Sequence, residues 1–177
     1  ILTAASALSS ALRTTLGPNG MDKMLINDRG TVVVTNDGSI ILDRMEIENP
    51  IGRVVEQIAD AQADAVGDGT TTTILLTGEL LQAAKSLRDD GMHPTTIVNG
   101  YAEAVDYAQR QLRDFGMTID DQDTTRLTQV AETAVTGRWD DRSTARFAKL
   151  TVEALQHVDF DTSRLTLKSY AGGQLSE

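Results

Sequence analysis

The sequence predicts a mainly α-helical fold with one small β-hairpin, and three observations carry that expectation. Apolar residues recur at helical spacing over most of the chain. Only the region around Asp28-Arg29-Gly30 has the flanking apolar runs and turn residues of a hairpin. Hydrophobic residues make up 40% of the chain and aromatic ones only 4%, so the core must be Leu, Ile, Val and Ala packed mostly between helices.

In chain order, Leu2, Ala5, Leu8, Leu12 and Leu16 mark a first helix, which Gly17-Pro18 stops before the turn "PNG". "MLIN" and "TVVVT" form the two arms of the hairpin, and "TNDG", Thr35 to Gly38, is a second turn. After Pro50, Ile51, Val54, Val55, Ile58 and Ala65 carry a helix that ends at Gly67. The next helix opens within the threonines of "AVGDGTTTTILL" and carries Leu76, Leu80, Ala84 and Leu87 on one face. Ile74, Leu75 and Leu81 make its other face apolar too, which predicts burial on most sides. Pro94 suits the first position of a helix, and Val98, Tyr101, Ala102, Val105, Ala108, Leu112 and Phe115 give that helix a long stripe before Gly116. The polar stretch "MTIDDQD" follows, then a shorter helix with Leu127, Val130, Ala131 and Ala134 that ends at "TGRWDD". Phe147, Leu150, Ala154 and Val158 mark the last helix, and "SRLTLKSY" alternates like a strand before "AGG". The organisation is a helical block up to about Phe115 and a smaller block after it, with the boundary expected near Asp120 to Asp123. There is no internal repeat and no low-complexity segment.

A net charge of −10 and a pI near 4.6 argue against a nucleic-acid partner, which calls for a basic face. Asp outnumbers Glu by 18 to 8, and Arg outnumbers Lys by 12 to 4. An Asp-heavy, Lys-poor surface fits a protein kept soluble in molar salt, where the Debye length falls to roughly 3 Å. The absence of cysteine excludes disulfides, zinc thiolates and thiol nucleophiles. No apolar run is long enough to span a membrane, and no signal sequence stands at the start. The chain begins at Ile1 and ends at Glu177 in mid-phrase, so we expect a piece of a longer, cytoplasmic protein.

The chemistry concentrates in "GDGTTT", Gly67 to Thr72. The stretch lies between two helices and ends at a helix N-terminus, where about four backbone N–H groups lack partners and the dipole favours anions. Glycines on both sides of Asp68 allow positive φ and a close approach to a ligand, and the threonine hydroxyls add donors for phosphate oxygens. Asp68 would repel a bare phosphate, so its presence implies an intervening cation, most naturally Mg²⁺. The plainer alternative is that Asp68 or Thr70 caps the helix. A lysine-bearing "GxxxxGK[ST]" loop and the dinucleotide "GxGxxG" fingerprint are both absent. "TLGPNG" and "TNDG", with Asp37 beside Gly38, are further glycine turns, each ordinary by itself. His93 reads as a helix-entry residue. His157, near Asp159 and Asp161, is more ordinary helix surface than metal ligand, and Asp89-Asp90 and Asp120-Asp121 read as solvated charges. The five methionines form no stripe.

Taken together, "TLGPNGMDKML", "VTNDG", "VGDGTTTTILLTGELL" and "GMHPTTIVNGY" stand in the order and spacing of chaperonins and resemble the group II branch, the archaeal thermosome and its cytosolic eukaryotic relatives. The resemblance implies an ATP-driven protein-folding machine of two stacked rings. Residues 1–120 would be the N-terminal part of an equatorial ATPase domain, 121–167 the first segment of an α/β intermediate domain, and 168–177 the start of the connection to an apical domain. It further implies ATP and Mg²⁺ as cofactors. Asp68 would hold the metal, Gly69, Thr70, Thr71 and Thr72 would cradle the β- and γ-phosphates, and Leu16, Gly17 and Pro18 would flank the nucleotide. Asp37, with Gly38, would sit near the γ-phosphate and position the attacking water. The partners implied are like subunits in a homo- or hetero-oligomeric ring and unfolded clients held by the apical domain, with no nucleic acid and no membrane. The hairpin Met24 to Thr35 would pair with a neighbour's termini.

Three departures qualify the resemblance. Asn19 stands where the family usually has lysine. "TGRWDD" resembles a family loop written "TGKGAE" whose lysine senses the γ-phosphate, so Arg138 keeps the charge without the geometry and Trp139 replaces a glycine. The family's general-base aspartate and the whole apical domain lie outside these residues, so this chain alone is expected to be inactive. The alternatives are a diverged, weakly hydrolysing structural subunit of such a ring and a small independent phosphate-binding protein.

Overall fold

Helix starts in this chain are written by local capping chemistry, and they set most of the architecture. The computed structural model describes residues 2–17, 19–27, 29–45, 47, 49–137 and 139–168. These residues form helices α1 (Leu2–Leu12), α2 (Gly38–Arg44), α3 (Pro50–Val66), α4 (Thr70–Asp89), α5 (Pro94–Phe115), α6 (Thr124–Ala134) and α7 (Asp141–His157). A hairpin of β1 (Lys23–Ile26) and β2 (Val32–Thr35) lies between α1 and α2. The fold is thus mainly helical with one two-stranded antiparallel sheet, as the periodicity predicts. Asp37, Asn49, Asp123 and Asp140 each accept N–H bonds from the first turn of the helix that follows them. Pro50 occupies the opening position of α3, where its missing N–H costs nothing.

The chain divides into two compact units, residues 1–115 and 116–177. In the first unit, Ala5, Leu8 and Leu12 of α1 pack with Ile41 and Leu42 of α2, Val55 and Ala59 of α3 and Ile74 of α4. Leu25, Met45, Ile47 and Leu81 close the edges of this core. Helices α1 and α4 approach most closely at Gly78, where a β-carbon would lie 2.5 Å from Ser9 Cβ and 2.7 Å from Ser9 Oγ. The hairpin register pairs Lys23 with Thr35 and Ile26 with Val32. Leu25 is half-buried against the core, whereas Met24, Ile26, Val32 and Val34 face solvent. In the second unit, α6 and α7 pack together over Ala148 and Val152, and Gln156 Nε2 donates to Asp121 O at 3.0 Å and Thr124 Oγ1 at 3.2 Å.

Four expectations are corrected, and the stripe on α5 is more exposed than that of α3. The first helix ends at Leu12, and a 3₁₀ turn, Arg13–Thr15, carries the chain to Leu16 in extended conformation. Thr15 Oγ1 donating to Leu12 O at 2.7 Å, and Met21 N to Thr14 O at 2.7 Å, satisfy carbonyls that a longer helix would have used internally. "TNDG" is more than a turn, because it opens α2, a helix not anticipated from the sequence. Helix α4 is not buried on most sides: Ile74, Leu75 and Gly78 are its buried stripe, while Leu76 and Leu80 are exposed. The stripe on α5 is likewise largely uncovered, with Ile97 buried but Val98, Val105, Leu112 and Phe115 exposed. Finally, the described part of "SRLTLKSY" is not a strand. Asp161 accepts from Ser163 N and closes a 3₁₀ turn, Thr162–Arg164. Residues 165–168 are irregular, and the only sheet among the described residues is β1–β2, so no ladder partner holds them extended. Residues 169–177, the expected apical connection, lie outside the described residues.

The Gly78 contact yields a direct test. Gly78→Ala forces α1 and α4 apart and should cost about 1–3 kcal/mol despite the gain in helix propensity. Denaturant unfolding of the full-length protein measures it, and a stabilised variant would contradict the close approach.

Candidate functional site

The loop between α3 and α4 is built from two left-handed glycines around one aspartate. Gly67 ends α3 with φ 74° and ψ 3°, its N–H donating to Ala63 O at 2.7 Å. Gly69 precedes α4 with φ 81° and ψ 8°, a conformation that costs an L side chain about 1 kcal/mol or more. Between them Asp68 is exposed; its Oδ1 accepts from Gly69 N at 2.7 Å, and its carbonyl accepts from Gln62 Nε2 at 2.9 Å.

This geometry bears on the plain capping alternative. Neither Asp68 nor Thr70 is the N-cap residue of α4: Gly69 is, and it has no side chain with which to cap the first turn. Helices α2, α3, α6 and α7 all have a capping side chain. Thr70 is buried, Thr71 and Thr73 are half-buried and Thr72 is exposed, so the threonines divide between packing and solvent. Thr77 Oγ1 donates back to Thr73 O at 2.8 Å.

The "TNDG" turn lies on this helix start. Asp37 Oδ1 accepts from Ser39 N at 3.0 Å and Ile40 N at 3.1 Å, so the carboxylate caps α2. Asp37 N in turn donates to Thr35 Oγ1 at 3.1 Å at the end of β2. Gly38 packs so closely on α4 that a β-carbon would lie 2.5 Å from Thr71 Oγ1, 3.2 Å from Thr71 N and 3.3 Å from Thr70 Oγ1. Asp37 and Gly38 are thereby brought together with Thr70 and Thr71. The 3₁₀ turn that leads into Leu16 and Gly17 also packs on α4, where Arg13 pairs with Glu79. Leu16 is half exposed and Gly17 is left-handed at φ 89°. Pro18 and Arg138, both named from the sequence, lie outside the described residues.

Around residue 138, Trp139 stacks against Phe147 of α7 with ring centroids 4.7 Å apart and a 40° tilt. Asp140 caps α7, and its pKa is held below the ordinary 3.8, first by the Ser143 side-chain hydrogen bond and then by the Ser143 backbone N–H.

The donor set fits Mg²⁺ held jointly with a ligand. No group of three or more His, Cys, Asp or Glu among the described residues would hold a metal without help. One exposed carboxylate at Asp68 matches the habit of Mg²⁺, which takes one or two protein carboxylates and fills its remaining sites with phosphate oxygens and water.

Comparison with known proteins defines the class. Residues 8–177 match the TCP-1/cpn60 chaperonin family, and the chain belongs to that family. Among its relatives it is 42% identical over 182 residues to a thermosome subunit of Methanopyrus kandleri, a match covering 98% of this chain and 33% of the relative. It is 40% identical to thermosome subunit alpha of Halobacterium salinarum over 98% of this chain and 32% of that protein. With thermosome subunit 3 of Haloferax volcanii the identity is 47%, over 89% of this chain and 30% of the relative. The chain therefore spans about a third of the length of the curated relatives it matches.

Two functional details escaped sequence reasoning. The helix-opening role of Asp37 was legible in principle, since Asp before "GSIIL" is a capping pattern. The bond from Gln62 to the Asp68 carbonyl had no local signal. The close seat of Gly38 predicts that Gly38→Ala lifts the Asp37 turn from α4 and costs about 1–3 kcal/mol of stability. Thermal unfolding of the full-length protein checks this, and an unchanged transition would contradict the close seat.

Proposed function

We propose that this chain forms the nucleotide-binding part of a chaperonin subunit that binds Mg-ATP and couples its hydrolysis to ring closure around unfolded clients. The observation that carries the proposal is the seat of Gly38 on Thr70 and Thr71, which unites two aspartate loops at the start of α4. In this account the α4 amides and the hydroxyls of Thr71 and Thr72 bind the β- and γ-phosphates, while Gly69 keeps the backbone close to them. Thr70, being buried, acts chiefly by packing beneath Gly38. Asp68 is the carboxylate for Mg²⁺, which when bound neutralises phosphate charge. Asp37, anchored by the first turn of α2, orients water toward the γ-phosphate, and Leu16, Gly17 and Pro18 flank the nucleotide. Arg138 reaches the γ-phosphate as a sensor.

In the same proposal, residues 1–120 are equatorial, 121–167 intermediate, and 168–177 lead to the apical domain. The general base and the client-binding surface come from residues beyond these 177. Such residues would also cover the apolar faces of α4 and α5. The exposed edge of the hairpin suits pairing with a neighbouring subunit in a double ring. Composition supports a cytoplasm of high salt; the matched relatives come from several archaea and do not discriminate.

A second assignment, a weakly hydrolysing structural subunit, is favoured by one observation. Trp139 is packed on Phe147, so the loop that holds glycine in the family is braced here by an aromatic pair. Intact Asp37, Asp68 and threonines favour the first.

ATP hydrolysis by the full-length protein in high salt, with and without Asp68→Ala, tests the assignment. We expect the variant to lose turnover by about a hundredfold or more, the range typical for losing an electrostatic transition-state contact; unchanged turnover would refute the metal site. Arg138→Ala should slow hydrolysis and ring closure with nucleotide still bound, and equal rates of both would remove Arg138 from the mechanism.

A further inference from the structure

One side chain from outside the Asp68 loop is bonded to its backbone. Gln62 is half-buried on α3, and its Nε2 donates to Asp68 O at 2.9 Å. The same nitrogen would lie 3.2 Å from a β-carbon on Gly69, so the amide is packed directly over the loop. In a trans peptide the C=O and the following N–H point in opposite directions. Holding the Asp68 carbonyl toward α3 therefore turns Gly69 N–H to the other side, where Asp68 Oδ1 accepts it at 2.7 Å.

Without that bond the peptide is free to flip. Glycine tolerates φ of either sign, so the Asp68–Gly69 peptide has a second accessible orientation, roughly half a turn away. In that orientation the Asp68 carbonyl leaves α3, and Gly69 N–H leaves the carboxylate it steadies. Both changes act against anion binding: a carbonyl dipole is freed beside the start of α4, and the Asp68 carboxylate loses its anchor. The glycines supply the left-handed geometry, and Gln62 selects one peptide orientation.

We propose that Gln62 is a positioning residue for the nucleotide loop, locking the Asp68–Gly69 peptide with its carbonyl on α3 and thereby orienting the Asp68 carboxylate. This rests on the assignment of the loop as the Mg-nucleotide site. Gln62 touches no ligand in this role; its effect passes through the loop backbone.

The test uses the full-length protein with Gln62→Met, which keeps reach without a donor, and Gln62→Glu, which keeps the shape but sets a carboxylate against the carbonyl. Three quantities are measured: Mg-ADP affinity by calorimetry, the Mg²⁺ concentration that half-saturates binding at fixed ADP, and the thermal transition without nucleotide. Losing one partly exposed neutral hydrogen bond should weaken Mg-ADP binding about three- to tenfold. Half-saturation should shift to higher Mg²⁺, Gln62→Glu should be the weaker binder, and the nucleotide-free transition should fall by no more than the few degrees that one hydrogen bond supplies. Affinity that falls only in step with the thermal transition would reduce Gln62 to a packing residue and overturn the proposal. Unchanged affinity in both variants, with binding lost in Asp68→Ala, would overturn the role of Gln62 and leave the site standing. Unchanged affinity in Asp68→Ala as well would remove the site and the role of Gln62 together.

Discussion

Helix α4 is held by two contacts too close for a β-carbon, and the position of everything at its start depends on them. Gly38 covers Thr70 and Thr71 at its N-terminus, and two turns further on Gly78 lies against Ser9 of α1. Repulsion at such distances rises steeply, so these contacts act as stops. A slide of one residue along the helix, about 1.5 Å, would bring Thr77 or Glu79 to the place that only Gly78 fits. The core side chains Leu12, Ile41 and Ile74 provide the attraction that presses the helices onto those stops. The first-turn amides of α4 are therefore held relative to Asp37 to within a fraction of a helical rise. A site that works by positioning and electrostatics needs that rigidity more than it needs any single functional group.

What the sequence made legible follows the range of the physics. Hairpin, helix starts at Pro50 and Pro94 and the glycine stop after α3 are decided within a few residues, and they stand where local pattern puts them. Helix α2 is seven residues long, too short for periodicity to register, and its cap at Asp37 was masked by a motif that also reads as a turn. The apolar faces of α4 posed a different difficulty, because two faces satisfied the helical period. Only the tertiary partner, α1 with Ala5 and Leu8, selects the one carrying Ile74 and Gly78. The alternation in "SRLTLKSY" predicted a strand, but a strand is a pairwise object and no partner was readable locally. The same limit hid Gln62, since a side chain bonding a carbonyl six residues away across a helix end leaves no trace in spacing.

Part of the exposed apolar surface gathers on two helix faces. Val98, Val105, Leu112 and Phe115 fall on one side of α5, and Leu76 and Leu80 lie together on α4. Scattered singly such residues need no explanation; along two helices they form contiguous apolar faces. Tyr101 shows how α5 is tied down meanwhile: its hydroxyl donates to Leu80 O at 2.6 Å, a polar link where burial is sparse. By contrast, Ile41, Leu42 and Ile74, just beyond the aspartate loops, belong to the buried core. The start of α4 thus has its own support even where the apolar faces beside it are exposed.

The acidity of the chain divides into two features of different origin. Asp37, Asp123, Asp140 and Asp161 cap helices or helical turns. Asp68 accepts from Gly69 N, and Asp120 from Gln122 N. These six are a third of the 18 aspartates. Each uses a short side chain to reach a backbone N–H one to three residues on, which the extra methylene of Glu places out of register. Part of the excess of Asp over Glu is therefore a requirement of the fold at any salt concentration. The excess of Arg over Lys is not explained this way. Pairs such as Arg88–Asp89 and Arg44–Asp43 are more than half exposed, where an ion pair contributes about 0–1 kcal/mol and less as salt rises. The capping bonds are short-ranged and survive that screening, whereas the pairs do not. The net charge as a whole is accordingly a poor guide to the salt concentration around the chain.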